Sequence, residues 1–583
     1  MAEYEQVGGL VAVGAEAHVA AALAPGRRPR LVDDGDAHAV DLDARHFAEP
    51  RPQRCAVVVA GDADEPPRPQ LELVQQRLLH PVAGVDDDIR RLDHPPHLLL
   101  QRLCAHRQVG VAQQQHTRGH AASLPRRPAA RGPARQDVGM TDQHSTDHWS
   151  ASAMWWHMYP LGFTGAPIRD RREPDVVHRL PRIEAWLDHV VELGLNGIAL
   201  GPVFASSTHG YDTIDHFRID PRLGDDDDFD RLIAAAHERG IRVLLDGVFN
   251  HVGREHPAFQ VAQANSEASE AALFRLDDGG EVQVFEGHGA LVELDHDAAA
   301  VQDLVVDVMR HWLDRGADGW RLDAAYSVPA AFWAAVLPRV REHHPDAWFL
   351  GEVIHGDYPA FVQDSTIDAV TQYELWQGLW HGIADGNLFE LEHAIGRNNE
   401  LLRSFVPYTF LGNHDVTRIA SAIGAERVPH ALAVLCTVAG TPAIYAGDEY
   451  GWEAVKEERE GGDDAVRPEF PNEPPAHDSL EAPAQHLLDV HRELLALRRR
   501  NPWLTTAHTD AVHVANGSIV LRTATGEHGL VTALNLDDEP VTMPAADAAR
   551  IVAGECELGE AELTLPPRGW AVLEVDLQAG DAA

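Results

Sequence analysis

Cysteine is scarce in this chain of 583 residues. The four that occur, Cys55, Cys104, Cys436 and Cys556, are far apart and show no CxxC-type spacing. That excludes a disulfide scaffold and a zinc-ribbon site. No apolar run of about 18 residues occurs, so no segment is expected to span a membrane. Positive charge is also short: 48 Lys and Arg stand against 91 Asp and Glu, a formal net charge of −43. Such a surface repels nucleic acid and anionic membranes, and neither is expected as a partner. The N-terminus carries Glu3 and Glu5, and its mildly apolar stretch is broken by Glu16 and His18. It does not read as a signal peptide, and a cytoplasmic location is the default expectation.

Aromatic residues are nearly missing from one part of the chain. Residues 1–139 hold only Tyr4 and Phe47, and no Trp precedes Trp149. The same stretch has 18 acids against 17 Arg, so almost the whole net charge falls on the rest. A segment this poor in aromatics has little from which to build a core, and stretches such as Leu124 to Gln136 read as coil. The expectation is a low-aromatic extension, either disordered or not part of the natural protein, with translation starting at Met140 or Met154.

From Met154 onward short apolar runs alternate with amphipathic stretches. Strand-like runs are "MWWHMYP", Gly197 to Phe204, Ile241 to His251, Gly319 to Ser327, Ala347 to Ile354, Ile367 to Tyr373, Tyr408 to Leu411 and Ala443 to Ala446. Helix-like spans fall at Ile183 to Leu193, Phe229 to Glu238, Val301 to Asp314, Ala330 to Glu342, Leu388 to Arg403, Val428 to Val438 and Gln485 to Arg499. Near-continuous apolar strands are those buried on both faces, and the alternation predicts a parallel α/β architecture. Eight such units suit a closed (β/α)8 TIM barrel over 140–502, with a short insertion after strand three at 252–298. Beyond Pro502 the text turns to short β-type segments separated by Gly, Asn and Asp, predicting a C-terminal antiparallel β-sandwich domain over 503–583.

The polar residues gather at the C-terminal ends of the predicted strands, where a barrel carries its active site. Strand three ends in Asp246, Asn250 and His251, strand four in Arg321 and Asp323, strand five in Glu352, and strand seven in Asn413, His414 and Asp415. A single acid at a strand end reads as a helix cap or turn former. Several converging on one mouth, without a Cys or His metal-ligand pattern, suit glycoside hydrolysis. There one carboxylate attacks the anomeric carbon and another shuttles the proton, about 5–5.5 Å apart when configuration is retained.

These segments resemble the signatures of the α-amylase family of glycoside hydrolases. "LLDGVFNH" is similar to its first, "GWRLDAAYS" to its second, "GEVI" to its third and "FLGNHD" to its fourth, while "GIALGPVF", "LVELDHD", "GTPAIYAGDE" and "HGYDTIDHFRIDPRLGDDDDFDRL" resemble accessory segments. The match is ordered and runs from about Met154 to Asp576. The resemblance implies that Asp323 is the nucleophile, Glu352 the general acid/base and Asp415 the carboxylate that stabilises the transition state. Arg321, two residues before Asp323, is expected to lower its pKa, and Glu352 needs a raised one. His251 and His414 would donate to sugar hydroxyls, Tyr211 would give the sugar ring an aromatic platform, and Asp212 would contact a hydroxyl. Asp246 is expected to be structural, bonding to Arg321 or its neighbours.

The loop Glu460 to Phe470 resembles one found in members acting on short malto-oligosaccharides. Asp463 and Arg467 would then clamp the sugar on the non-reducing side; the plainer reading is a solvated acidic loop. The run Asp225 to Asp228 is read as structural, its carboxylates complementing a helix N-terminus. Asn250 matches a calcium ligand of some members, without a convincing set of partner oxygens, so neither a metal site nor a cofactor is expected. The implied activity is a retaining glycosidase cleaving α-glucosidic bonds in malto-oligosaccharides or related α-glucans, with a neutral oligosaccharide as partner. Two alternatives share the fold. One is a glucosyl-transferring or isomerising member acting on trehalose- or sucrose-type substrates, and the other is a non-catalytic carbohydrate-binding subunit. Bond type, chain length, endo- or exo-action and oligomeric state are not legible.

Overall fold

A computed structural model describes residues 148–169, 175–276, 281–459 and 461–575. The predicted extension 1–139 lies outside the described residues.

Eight parallel strands form the central sheet: β1 (Trp155–Met158), β2 (Gly197–Leu200), β3 (Arg242–Gly247), β4 (Gly319–Leu322), β5 (Trp348–Gly351), β6 (Ala369–Val370), β7 (Tyr408–Phe410) and β8 (Thr441–Tyr445). Their order around the sheet is β6-β5-β4-β3-β2-β1-β8-β7. A parallel bridge from Thr371, just past β6, to Tyr408 of β7 joins the two ends and closes the barrel. Helices follow each strand: α1 (Leu187–Leu193), α2 (Asp226–Glu238), α3 (Ala299–Asp314), α4 (Ala330–Arg341), α5 (Tyr358–Ser365), α6 (Tyr373–Ala384), α7 (Leu388–Leu401), α8 (Val428–Thr437) and α9 (Ala482–Arg500).

The strands read as unbroken apolar runs because both faces are covered. On β1, Trp156 points outward and stacks on Trp186 beside α1, with ring centroids 5.7 Å apart. Its neighbour Trp155 points inward and stacks on Trp348 of β5 at 5.5 Å, filling the barrel interior with Leu244, Leu350, Tyr408 and Phe410. The acidic run behaves as expected. Asp225 caps α2 by accepting the Asp228 N–H, and the Asp228 side chain accepts the Asp225 N–H in return.

Several predicted strands are shorter than the apolar runs that suggested them. The third stops at Gly247, and His251–Gly253 starts a separate strand that pairs antiparallel with Leu291–Glu293. These two strands frame the insertion and its short helix Pro257–Ala264. The second stops at Leu200, and Phe204–Ser206 turns out to pair with Thr213–Ile219. Helices α5 and α6 fall where no helix was expected.

After α9 the chain forms β9 (His508–Val514), β10 (Ser518–Ala524), β11 (Gly529–Asn535), β12 (Val541–Pro544), β13 (Ala548–Gly554), β14 (Glu557–Leu558), β15 (Glu562–Leu565) and β16 (Trp570–Val575). A five-stranded sheet, β9-β10-β11-β16-β13, faces a three-stranded one, β12-β15-β14. Val531, Ala533 and Leu573 of the first pack with Met543, Leu563 and Leu565 of the second, giving the predicted antiparallel sandwich its core. Asn399 of α7 ties this domain to the barrel, donating to the Thr509 carbonyl at 2.7 Å and accepting its N–H at 3.1 Å.

Candidate active site

The C-terminal mouth of the barrel brings together Asp246, Arg321, Asp323, Glu352, His414 and Asp415. Backbone ladder bonds set the first positions: Asp323 N–H donates to the Gly247 carbonyl at 3.0 Å and Glu352 N–H to that of Leu322 at 2.9 Å. Arg321 is the hub. Its Nη1 reaches both Asp246 oxygens at 2.7 and 2.6 Å and Asp323 Oδ1 at 3.2 Å, while Nη2 pairs with Glu352 Oε1 at 2.7 Å. Asp246 has no exposed surface and bonds Arg321, the structural part predicted for it.

Beyond β4 the backbone turns sharply. Ala324 sits in the left-handed region with φ 44°, a conformation costly for a residue with a Cβ and typical of functional sites. The turn aims the Ala324 N–H at Glu352 Oε2, 2.9 Å away. Tyr373 adds a long contact at 3.4 Å to Glu352 Oε1, and its hydroxyl oxygen accepts from Asn413 at 2.9 Å.

The charge balance at Asp323 differs from the expectation drawn from Arg321 alone. Burial raises its pKa, and Arg321 opposes this. Glu352, Asp246 and Asp415 add further raising, and the net displacement is well above the ordinary carboxylate value. One guanidinium serves three carboxylates here, so its charge is divided among them. Asp415 lies on the other side of that balance. Burial alone would raise it, but His414, Arg467 and Lys456 together hold it well below the usual range.

The side chains expected to touch sugar fall into two groups. Tyr211 stacks on His414 with ring centroids 5.5 Å apart and planes 3° from parallel. Its hydroxyl donates to Asp246 Oδ2 at 3.1 Å and touches His414 Nε2. His414 Nε2 also lies 3.0 Å from Asp415 Oδ2. Asp212 and His251, by contrast, are engaged with protein. Asp212 accepts the Thr208 N–H at 2.9 Å and its hydroxyl at 2.7 Å, closing the 208–212 turn. His251 donates from Nε2 to the Tyr211 carbonyl at 3.0 Å, takes the Asn250 amide on Nδ1 at 3.2 Å and stacks on Phe285. In this structure both act by holding the loop that carries Tyr211.

Arg467 is no solvated loop residue. It is 4% exposed, donates from Nη2 to Asp415 Oδ1 at 2.7 Å and from Nε to the His414 carbonyl at 2.9 Å, and lies over the Tyr159 ring. Asp463 pairs with the same Nη2 at 2.5 Å and remains partly exposed at the mouth.

Asn250 sets its side-chain amide nitrogen 3.2 Å from His251 Nδ1, and its backbone carbonyl accepts the Leu294 N–H. Among the described residues, the group of His, Asp or Glu ligand atoms close enough to share an ion is His178, Asp225 and Asp228, whose carboxylates already cap α2.

Sequence reasoning missed His157, Tyr159 and Tyr373. His157 is buried on β1, with Nε2 3.1 Å from His414 Nδ1. Its one signal was a polar residue inside a strand buried on both faces.

A closed (β/α)8 barrel with three carboxylates and an arginine at its C-terminal mouth defines a glycoside hydrolase. The model of the α-amylase catalytic domain matches residues 179–283 and 280–486, and the chain belongs to that family. It is 30% identical over 444 residues to neopullulanase 2 of Thermoactinomyces vulgaris, covering 72% of this chain and 70% of the relative. It is 28% identical over 407 residues to the intracellular maltogenic amylase of Bacillus subtilis, covering 64% of this chain and 66% of the relative. Cyclic α-maltosyl-(1→6)-maltose hydrolase from Arthrobacter globiformis superposes with a TM-score of 0.62 at 26% identity, covering 73% of this chain and 99% of that one.

Proposed function

We propose that this glycosidase cleaves α-glucosidic bonds in short malto-oligosaccharides, open or cyclic, with retention of configuration. Asp323 attacks the anomeric carbon to give a glycosyl-enzyme. Glu352 protonates the departing oxygen and then deprotonates water. Asp415 stabilises the oxocarbenium-like transition state. The observation that carries this reading is the bridge from one guanidinium, Arg321, to Asp323 on one strand end and Glu352 on the next. Sharing one guanidinium holds the two carboxylates near each other, in keeping with the short separation that retention needs.

The electrostatics support the part given to Asp415. Asp415, held well below the ordinary range by His414 and Arg467, stays anionic beside developing positive charge. The substrate class is supported by relatives named for maltogenic and neopullulanase activity and by a structural neighbour named for a cyclic maltosyl-maltose. A cytoplasmic location is supported by the relative named as intracellular; among the described residues no helix is long and apolar enough to cross a membrane.

The test is incubation with maltotriose, cyclomaltodextrins, pullulan, starch, trehalose and sucrose, with products separated by chromatography and the first-formed anomer read by proton NMR. Glucose and maltose released as α-anomers are expected. No turnover of any α-glucoside, or release of the β-anomer first, would overturn the reading.

A further inference from the structure

We propose that His157 is a positioning residue that fixes the tautomer of His414: its Nε2–H donates to Nδ1 of His414, so that the proton on His414 sits on Nε2 and faces Asp415 and the substrate. This rests on the reading of Asp415 as part of the catalytic site.

The argument starts from the two ends of a hydrogen-bond chain. His414 Nε2 lies 3.0 Å from Asp415 Oδ2, and Asp415 is paired through its other oxygen with Arg467 at 2.7 Å. A carboxylate so paired is an acceptor only, so the imidazole nitrogen facing it must carry a hydrogen. The Tyr211 hydroxyl also touches Nε2. Its own proton goes to Asp246 Oδ2 at 3.1 Å, which leaves its oxygen to accept. Both neighbours therefore ask for Nε2–H.

With its proton on Nε2 alone, His414 presents a bare lone pair on Nδ1. That nitrogen is buried and faces His157 Nε2 at 3.1 Å. Two imidazole nitrogens at that distance need one proton between them, and on this assignment it belongs to His157. His157 cannot easily supply it as an imidazolium. Burial, with the Arg321 charge adding to it, pushes its pKa well below the ordinary value, so it is neutral with a single N–H. The strand fixes its place: the Ala446 N–H donates to the His157 carbonyl at 2.8 Å, and the Tyr445 ring meets the imidazole edge-on at 5.7 Å. The other charged groups acting on it are Asp415 and Arg467. The wrong tautomer of His414 would set a lone pair against Asp415, at the point where a sugar hydroxyl needs a donor.

The test has two arms. Nitrogen-15 NMR of the histidine-labelled wild-type protein, with the His414 signals assigned by their loss in His414→Gln, should show Nε2 protonated and Nδ1 bare. A proton on Nδ1 overturns the proposal whether or not the enzyme turns over any substrate. In the second arm, His157→Met removes the donor and should lower kcat/KM by about 10- to 100-fold, mainly through kcat, with a mixed tautomer at His414. His157→Gln, which restores an N–H donor, should recover most of that loss. Equal activity in His157→Met and wild type, or no recovery in a His157→Gln variant that melts like the wild type, would also overturn it.

Discussion

Arg467 donates to Asp415 at 2.7 Å and to the carbonyl of His414 at 2.9 Å, so an arginine from the loop after β8 holds the carboxylate that follows β7. The side chain is buried, whereas Asp415 keeps 32% of its side-chain surface open to the mouth. The two contacts come from separate nitrogens of one planar guanidinium, a geometry that the single nitrogen of an ammonium does not reproduce. Arg467→Lys is therefore expected to reduce kcat for maltotriose by about 100-fold, the scale set by small misplacements at a reacting centre. Steady-state kinetics beside a thermal melt would check this. An unaltered kcat in a folded variant would show that Asp415 keeps its place without the clamp.

Glu352 accepts the Ala324 N–H at 2.9 Å and pairs with Arg321 at 2.7 Å. If it protonates the departing oxygen, the need for it should depend on the leaving group. Glu352→Gln is expected to slow cleavage of maltotriose by at least about 100-fold and that of a nitrophenyl α-maltoside far less, because nitrophenolate departs without a proton. Asp323→Asn should abolish turnover of both, by several orders of magnitude. Comparing the two substrates in both variants separates the roles. Equal losses on the two substrates in Glu352→Gln would remove it as the acid.

Much of the barrel was legible because its strands bury both faces, which leaves continuous apolar runs capped by polar residues. The capping residues Asp246, Arg321, Asp323, Glu352 and Asp415 do meet at one mouth. Helix α6 escaped because Tyr373, Trp376 and Trp380 have helical spacing but strand-like composition, and β6 before it is only two residues long. Other features have no local signature. His157 and His414 are 257 positions apart, and a run of apolar letters says that a strand is buried without saying what each face meets. The pKa of Asp323 could not be read from Arg321 alone because Asp246 and Glu352, from other strands, share that guanidinium and, with Asp415, raise it. The backbone at Ala324, strained at φ 44°, follows from tertiary closure around Glu352 rather than from the alanine itself.

A second buried pair, behind the site, should make stability depend on pH. Asp448 lies 2.8 Å from Arg418, which also donates to the carbonyls of Ala446 and Val466. Burial is the main influence on Asp448 and, against the pull of Arg418, pushes its pKa up to about 7. In the unfolded chain the same group titrates near about 3.9. Between these values the folded protein keeps a proton that the unfolded chain has lost, so this contribution is fully present below pH 4 and is lost as pH rises through about 7. Asp448→Asn removes the titration. Melting temperatures taken from pH 4 to 8 should fall less steeply with pH in that variant than in the wild type. Parallel curves would mean that Asp448 is ionised throughout.

Trp155 and Gly197 sit side by side on β1 and β2, paired in register. A Cβ at position 197 would come within 2.5 and 2.7 Å of Cε3 and Cζ3 of the Trp155 ring. That ring is fully buried and stacked on Trp348, so it has no free direction in which to move. Gly197→Ala should therefore destabilise by about 1–3 kcal/mol, the range for overpacking a filled core. The atoms in conflict belong to the six-membered ring of the indole, which phenylalanine does not extend to the same depth. Trp155→Phe alone should also destabilise, by leaving a cavity beside Trp348. The double variant Gly197→Ala, Trp155→Phe should lose less than the two single losses added together, because the larger part of the clash is gone. Denaturant unfolding of the four proteins measures the coupling. Strict additivity would show that the barrel wall, rather than the indole, gives way to the added methyl group.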